Sequence, residues 1–522
     1  MIRVNQIKVL IEEDSTDKLL DKIAKKLGIK VSNINSFNII KKSIDARDKN
    51  SIFYVYEVDV ETDKEGSILS KKIKGVELST LEEYSFPQGS YSKDSKIVIV
   101  GSGPAGLMCA YLLAENGYKP LILERGENVE NRVKTVEEFF KNNKLNPESN
   151  VQFGEGGAGT FSDGKLNTLV KDKMNRGRKV FDIFVQNGAP QEILYLSKPH
   201  IGTDKLRLVI KNIRNKIIKM GGEFRYSSKV TDIIVKDNKV TGVEINNNEN
   251  ISCDVLVLAI GHSARDTFQL LFDKGISMKA KNFAVGVRIE HLQEMINTSQ
   301  YGDKASLLPP ASYKLTYQTS NGRGVYSFCM CPGGFVVNAS SEEGRLAING
   351  MSNYLRDEKN ANSAIVVTVN KNDFGNNPLD GIEFQRRLEE KAYSLGKGFI
   401  PCQLYGDFCE EKVSNSFGKV ITNTKGATSF ADLNQLFPSF ITNSLKEAIP
   451  YFGTKIKGFD RADSVLLGVE SRTSSPVMIE RDDKGESNIL GIYPCGEGAG
   501  YAGGITTAAM DGVKVAEFIA QR

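Results

Sequence analysis

Apolar residues along this chain fall into short unbroken runs and alternating stretches. Residues 96–100, Lys-Ile-Val-Ile-Val, are the pattern of a strand buried on both faces. A glycine turn follows, and residues 107–116 read as a helix closed by Gly117. Residues 121–123 are a second buried strand, ending in Glu124 and Arg125. A third such run, residues 254–261, ends in Ala259, Ile260 and Gly261, and His262 opens the next helix. Between them lie a helix over 206–220, a strand over 224–226 and a hairpin of strands over 230–235 and 240–245. The order of these elements predicts one open sheet that contains the hairpin.

Before this core, residues 4–11, 36–40 and 52–60 read as strands. A helix starts at Ser15 or Thr16 and stops at Gly28, and a shorter one covers 68–73. Residues 1–85 are thus expected to form a small α+β, ferredoxin-like domain, followed by a Pro/Gly/Ser-punctuated linker over 84–94. From residue 281 the pattern changes. Strands are predicted over 283–290, 326–330, 335–339 and 364–369, the last two in one sheet, and helices over 381–396 and 433–448. The division is therefore 94–275 for the first part of a nucleotide-binding domain, 276–460 for an inserted domain, and 461–522 for the returning part. The length of 522 residues suits about three domains.

Composition narrows the functional classes. Sixty-eight Lys+Arg against 64 Asp+Glu leave a charge of +4, too small for a nucleic-acid or membrane surface. No apolar run approaches the roughly 20 residues of a membrane span. The first residues lack the charged-then-apolar pattern of a secretion signal, and a cytoplasmic location is expected. Seven cysteines without CxxC or His-rich spacing argue against both a disulfide framework and a metal site.

The glycine turn is Gly101-Ser102-Gly103-Pro104-Ala105-Gly106. Set between a strand and a helix, with an acid ending the second strand, it is a dinucleotide-binding unit. Gly101 makes the turn, Gly103 lets backbone approach a pyrophosphate, and Gly106 packs helix on strand. The helix N-terminus faces the phosphates. Glu124 is placed to accept hydrogen bonds from the adenosine ribose. Arg125 and Arg132 follow and join the expected cofactor-binding set. A second loop, residues 150–167, carries Gly156, Gly157, Ala158, Gly159 and Thr160, then Lys165 and Asn167. Residues so short of bulk suit a close approach of backbone to a flat or anionic ligand. The GxGxxG spacing recurs at Gly154-Gly156-Gly159 and at Gly498-Gly500-Gly503. The first has no apolar strand before it, and the second leaves only residues 505–522, too few for a second unit. One dinucleotide is expected, with these two loops closing over it.

On these motifs, together with Lys198-Pro-His200-Ile-Gly-Thr-Asp204 and Gly496-Glu497…Gly503-Gly504-Ile505, the chain resembles the FAD-dependent oxidoreductases of the glutathione-reductase-like superfamily. It is most similar to the group known as FAD-dependent dehydrogenases. The resemblance implies an α/β fold: a Rossmann-type FAD-binding domain, an inserted α+β substrate domain and the small N-terminal α+β domain. It implies FAD bound extended, with Gly496 and Glu497 near the pyrophosphate and ribityl chain. Gly504 and Ile505 would lie at the flavin ring and Val230 beside the adenine. One departure is Ala259-Ile260-Gly261, where relatives often have Ala-Thr-Gly. The superfamily's disulfide enzymes carry a CxxxxC pair after the first helix, which this chain lacks, so disulfide exchange is disfavoured.

The candidates for chemistry are few. His262 stands at a strand's C-terminal end, where ligands bind in open α/β sheets. His200 sits in a loop that the resemblance brings toward flavin or substrate, whereas His291 reads as a surface residue. Arg472, with Arg265 and Arg288, is a candidate anion holder. Cys331, in Phe328-Cys-Met-Cys-Pro, is a candidate redox or nucleophilic thiol. The expected function is transfer of a hydride through flavin N5 to or from a small organic substrate, with NAD(P)H as candidate transient reductant. The alternative is a flavin-bearing redox sensor or assembly protein whose residues 1–85 bind a protein partner.

Overall fold

The computed structural model describes residues 1–80, 83–168 and 170–522. Its organising layer is a five-stranded parallel sheet, in the order Ile492–Pro494, Val255–Leu258, Ile97–Val100, Leu121–Leu123, Glu223–Arg225. Every residue of Ile97–Val100 and Val255–Leu258 is buried, which explains why both runs lack polar alternation. Helices Pro104–Glu115 and Ile505–Ala520 pack together on one face. Gly512 makes the closest approach possible: a Cβ there would stand 2.1 Å from the Ala105 carbonyl oxygen.

The hairpin is not in this sheet. Val230–Lys236, Lys239–Ile245 and Glu249–Ser252 form a separate antiparallel sheet of three strands. The turn residues Asp237 and Asn238 both have positive φ, 50° and 57°, as a tight two-residue hairpin requires. Its strands bury one face and leave the other to solvent, so it cannot enter a parallel sheet covered on both sides.

The second large layer is a seven-stranded sheet, in the order Thr316–Gln318, Gly324–Cys331, Asn360–Val369, Phe283–Leu292, Val465–Glu470, Ile400–Leu404, Thr428–Phe430. Its apolar face packs on helices Asp380–Leu395 and Ser439–Lys455. This corrects the expected division at residue 460. Val465–Glu470 lies inside the sheet, between Phe283–Leu292 and Ile400–Leu404, so the inserted unit runs on past Glu470. The chain enters and leaves it through a short strand pair, Met278–Ala280 with Val477–Ile479. Two local expectations also change. Phe335–Asn338 pairs with Ile348–Met351 and Thr424–Lys425 in a small third sheet rather than continuing the large one. The helix expected from 433 starts at Ser439, because Pro438 interrupts the backbone and leaves Leu433–Gln435 as a single 3-10 turn.

The N-terminal unit is a four-stranded antiparallel sheet, in the order Ser36–Asp45, Phe53–Glu61, Ile2–Leu10, Val76–Leu78. With helices after the first and third strands this is the βαββαβ, ferredoxin-like arrangement. Ser15 caps helix Thr16–Leu27 by accepting from Lys18 N, and Gly28 ends it at φ 65°. Leu19, Ile23 and Leu27 pack on Ile2, Val4 and Val58 in a core of their own. The unit touches the rest along its edge strand, where Lys42 N donates to Tyr195 O at 2.8 Å and Ser197 N donates to Lys42 O at 2.9 Å, and through a Glu12–Lys304 ion pair. The stretch expected as a free linker is strapped down. The Tyr84 hydroxyl donates to Glu517 Oε1 at 3.0 Å, beside Arg176, and a Cβ at Gly89 would collide with Ala520 O. No helix among the described residues is long and apolar enough to cross a membrane.

Because the N-terminal unit has its own core and a narrow edge contact, a chain lacking residues 1–80 is expected to fold and keep its ligand affinity. Extending the deletion through Tyr84 removes a partly buried hydrogen bond to a charged acceptor. That step, or Tyr84→Phe alone, should cost about 2 kcal/mol in urea unfolding. Equal stability with and without the Tyr84 hydroxyl contradicts the strap.

Candidate functional site

A cavity of about 720 Å³ runs along the C-terminal ends of the parallel strands and under the inserted unit. The Gly101 turn forms one wall. Gly101 has φ 98°, and a Cβ there would stand 2.4 Å from Ala259 O, so only glycine fits between two adjacent strand ends. Gly106 lies behind the wall, its Cα facing the Gly101 carbonyl, and serves helix–strand packing.

Glu124 lines the cavity and is already heavily bonded. Its Oε2 accepts from Ser102 N at 2.9 Å and Ser102 Oγ at 2.7 Å, and its Oε1 accepts from Gly126 N and Gly154 N, both at 3.0 Å. The carboxylate therefore ties the first glycine turn to the second glycine loop, and Ser102 is spent on it rather than facing the cavity. Arg125 lines the cavity over the Phe153 ring, 4.1 Å from its centroid, and pairs with Asp266 and Glu148.

The second glycine loop owes its shape to Arg132. Helix Val129–Asn142 turns this residue inward, where it is fully buried. Its guanidinium donates to five backbone carbonyls: Asn150 at 2.9 Å, Val151 at 3.0 Å, Gly154 at 3.1 Å, Glu155 at 2.7 Å and Gly157 at 2.9 Å. Arg132 was expected at the cofactor; it stands behind the loop and moulds it. Gly156 and Thr160 also face inward. A Cβ on Gly156 would strike the Thr160 hydroxyl, which donates to Glu155 O. Gly157, Ala158 and Gly159 do line the cavity. Gly157, at φ 62°, lies back to back with Gly103: its Cβ would stand 3.1 Å from the Gly103 Cα.

Two helices begin at the cavity, Pro104–Glu115 and Ile505–Ala520. Their N-caps are Gly103 and Gly504, neither with a side chain to satisfy the first amides. Two such N-termini make an electropositive floor for an anion. Gly503 and Gly504 face open space, with no atom near a built Cβ. Gly496 does not reach the cavity. Its amide donates to Asp511 at 2.7 Å and its Cα packs on Ala105, while Glu497 does line the wall. Val230, Ala259, Ile260 and Gly261 complete this end.

Lys165 and Asn167 line the other end, opposite Cys329, Asn349, Glu470, Arg472 and Thr473 from the inserted unit. Lys165 Nζ lies 3.8 Å from Asp163, a buried carboxylate that also pairs with Arg356. Burial opposes its charge, yet Lys165 and Arg356 hold the Asp163 carboxyl below the ordinary range. Burial drives Glu470 the other way, up to about 7, despite the Arg288 guanidinium at 2.8 Å.

The expected catalytic residues separate here. His262 lines the cavity with Nδ1 3.1 Å from Glu497 Oε1. Arg472 lines it too, but its fork is bonded to Glu389 at 3.0 and 2.8 Å, with Ser341 and Ser263 on the remaining nitrogen. It shares Glu389 with Arg265, so it braces the junction of the two units instead of waiting for an anion. His200 lies behind the wall, with Nε2 2.9 Å from Tyr354 O and its ring stacked on Tyr354. Cys331 is fully buried, and its neighbour Cys329 holds the lining position. His291, expected on the surface, is buried against Phe459, and burial lowers its pKa to about 4. Sequence reasoning passed over Cys329, Glu470, Asn349 and Gln152. Cys329, Glu470 and Gln152 stood inside stretches already singled out; nothing local marked Asn349. No group of His, Cys, Asp and Glu suited to a metal occurs among the described residues.

Three family models match the chain, and two of them cover most of this site's walls. Residues 95–267 match the pyridine nucleotide-disulphide oxidoreductase model, residues 282–473 the FAD-dependent protein C-terminal domain-like model, and residues 1–61 a domain of unknown function. An uncharacterized protein of Clostridium beijerinckii is 50% identical over 100% of this chain and 99% of its own. The chain belongs to the FAD-dependent oxidoreductases. A digeranylgeranylglycerophospholipid reductase of Methanocaldococcus jannaschii is 23% identical over 42% of this chain and 63% of its own. Among solved structures, a glycine oxidase from Bacillus cereus aligns at TM-score 0.35 and 12% identity, covering 82% of this chain and 95% of that one. An L-proline dehydrogenase from P. horikoshii aligns at TM-score 0.35 and 13% identity, covering 83% and 94%.

Two substitutions test the loop. Gly157→Leu adds a side chain against Gly103 at a φ that disfavours it, and FAD affinity by fluorescence quenching should fall at least about tenfold, roughly 1.4 kcal/mol. Arg132→Met strips five carbonyls of their donor and should cost about 3 kcal/mol or more in urea unfolding. Wild-type affinity in the first places the loop away from the ligand; wild-type stability in the second removes Arg132 as its support.

Proposed function

We propose that the protein binds FAD extended along this cavity and transfers a hydride through flavin N5 to or from a small organic substrate, with NAD(P)H as transient reductant. One observation carries the reading. A single cavity joins two uncapped helix N-termini, at Gly103 and Gly504, to a polar cluster contributed by both units, Lys165 with Glu470. The residues fit the cofactor. The helix starts and the bare backbone of Gly103 and Gly157 suit a pyrophosphate, and Val230 and Lys229 flank the end beyond Glu124. FAD supplies the two-electron chemistry. The chain supplies position, exclusion of water and charge. Lys165 puts a cation at the far end of the cavity, where negative charge on a reduced ring is stabilised.

Purified protein should be yellow and release FAD, not FMN, on denaturation. Anaerobic mixing with NADH and NADPH should bleach the flavin rapidly with at least one. Absence of bleaching with both, in a protein that holds FAD, removes the pyridine nucleotide from the cycle. Lys165→Met should leave FAD bound and lower its reduction potential in dye-equilibration measurements. An unchanged potential places Lys165 away from the ring.

A further inference from the structure

We propose that Cys329 and Cys331 are a redox-active thiol pair, cycling between dithiol and disulfide and exchanging electrons with the cofactor in the cavity. The proposal rests on the reading of that cavity as the FAD site. Cys329 lines the cavity and Cys331 lies directly behind it with no exposed surface. The backbone between them is irregular. Strand Gly324–Cys331 pairs regularly with Asn360–Val369 through Phe328↔Ala364, and the next pair is Cys331↔Asn362. Two residues on one strand, Cys329 and Met330, thus face one on the other, Ser363, a bulge, and Cys329 within it has φ 45°. A bulge turns a side chain out of register, and a non-glycine residue at positive φ is held there at a cost by its surroundings. Residues two apart in a straight strand lie near the limit of disulfide reach, and a bend brings them within it.

The surroundings are those of a reactive thiol. Arg288 is fully buried, with Nη2 2.5 Å from Cys329 O and 3.9 Å from Cys331 Sγ. The Cys331 thiol also lies 3.3 Å from Cys329 O. Interaction with the adjacent Cys331 thiol, together with the Lys165 and Arg288 cations, holds Cys329 below the ordinary thiol range, and the same pairing with burial pushes Cys331 up. Burial pushes the thiols of Cys109, Cys253, Cys402 and Cys495 the opposite way. Glu470, on the same cavity wall, shares Arg288 with the pair. An acidic thiol lining the cavity in front of a fully buried one is the arrangement of an attacking and a resolving cysteine. It occurs here on the inserted unit, whereas the stretch after the first helix, the place of the superfamily's own pair, holds no cysteine from 116 to 252.

The step balances. From a Cys329 thiolate and a Cys331 thiol, the Cys331 S–H bond breaks and an Sγ–Sγ bond forms. Two electrons and one proton leave, and oxidised FAD accepts both. Glu470 is placed to hold the proton in transit. In reverse, the reduced cofactor returns the pair to thiol and thiolate.

Two measurements decide it. FAD-loaded protein, pre-oxidised with diamide and freed of reagent, is titrated anaerobically with dithionite. Wild type should consume twice the flavin's own electron uptake, whereas Cys329→Ser and Cys331→Ser should consume the flavin's uptake alone. Cys331→Ser should retain a long-wavelength thiolate–flavin charge-transfer band that Cys329→Ser lacks. Independently of cofactor and variants, flavin-free wild type is treated with diamide, alkylated under denaturing conditions and digested for mass spectrometry. A Cys329–Cys331 peptide protected until reduction supports the pair. Free alkylation of both cysteines after diamide, or wild-type uptake equal to that of the flavin alone, overturns it. A colourless protein whose pair still closes would overturn the FAD reading and sever the pair from any flavin.

Discussion

The site depends on one buried charge. Arg132 carries a guanidinium into the fully buried interior, and no carboxylate among the described residues pairs with it; five backbone carbonyls accept from it instead. Burying a cation unpaired costs several kcal/mol, so the arrangement is stable only while every carbonyl points inward. Those carbonyls belong to residues 150–157, and turning them inward turns the other side of the same loop, Gly157 to Gly159, toward the cavity. Gly154 N and Gly156 N are then placed to donate to Glu124 and Ser102 O, which joins this loop to the first glycine turn. Helix Val129–Asn142, the loop and the turn form one rigid assembly around a side chain that never meets the ligand.

A second buried cluster fixes the inserted unit over that assembly. Arg265 comes from the helix after strand Val255–Leu258, Glu389 from helix Asp380–Leu395, and Arg472 from just past strand Val465–Glu470. Both arginines converge on Glu389 at hydrogen-bonding distance, and burial notwithstanding, they hold its carboxyl well below the usual range. Replacing any member strands a buried charge, which makes the junction selective for one relative placement of the two units.

The parts legible in the sequence were those with local causes. The strand–turn–helix unit, the Ser15 and Gly28 caps and the uncapped start at Gly504 all follow from residue types within one turn of the position concerned. The errors were nonlocal. Val465–Glu470 reads as a strand from its own residues, but nothing in it says that its neighbours are 283–292 and 400–404. Arg132 was counted with the cofactor-binding residues that follow the glycine turn; its burial depends on a loop that folds back over it. His200 and His291 were ranked by sequence neighbours, while their exposure is set by Tyr354 and Phe459, each more than 150 residues away. The thiol that reaches the cavity is Cys329 because of a bulge, and a one-residue slip in register leaves no mark in a Cys-Met-Cys triplet.

These constraints combine into a charge pattern along the cavity. At one end the positive potential comes from backbone: the helix start behind the bare Gly103 cap, suited to a group whose negative charge is permanent. At the other end it comes from side chains, Lys165 and Arg288, each tied to a buried acid, Asp163 and Glu470. Fixed backbone dipoles cannot titrate, whereas the Glu470 carboxyl, pushed by burial up to about 7, can follow a charge that comes and goes. The permanent field is therefore placed for binding and the adjustable one for chemistry, and the two meet where the Gly154–Gly159 loop, held by Arg132, runs from one to the other.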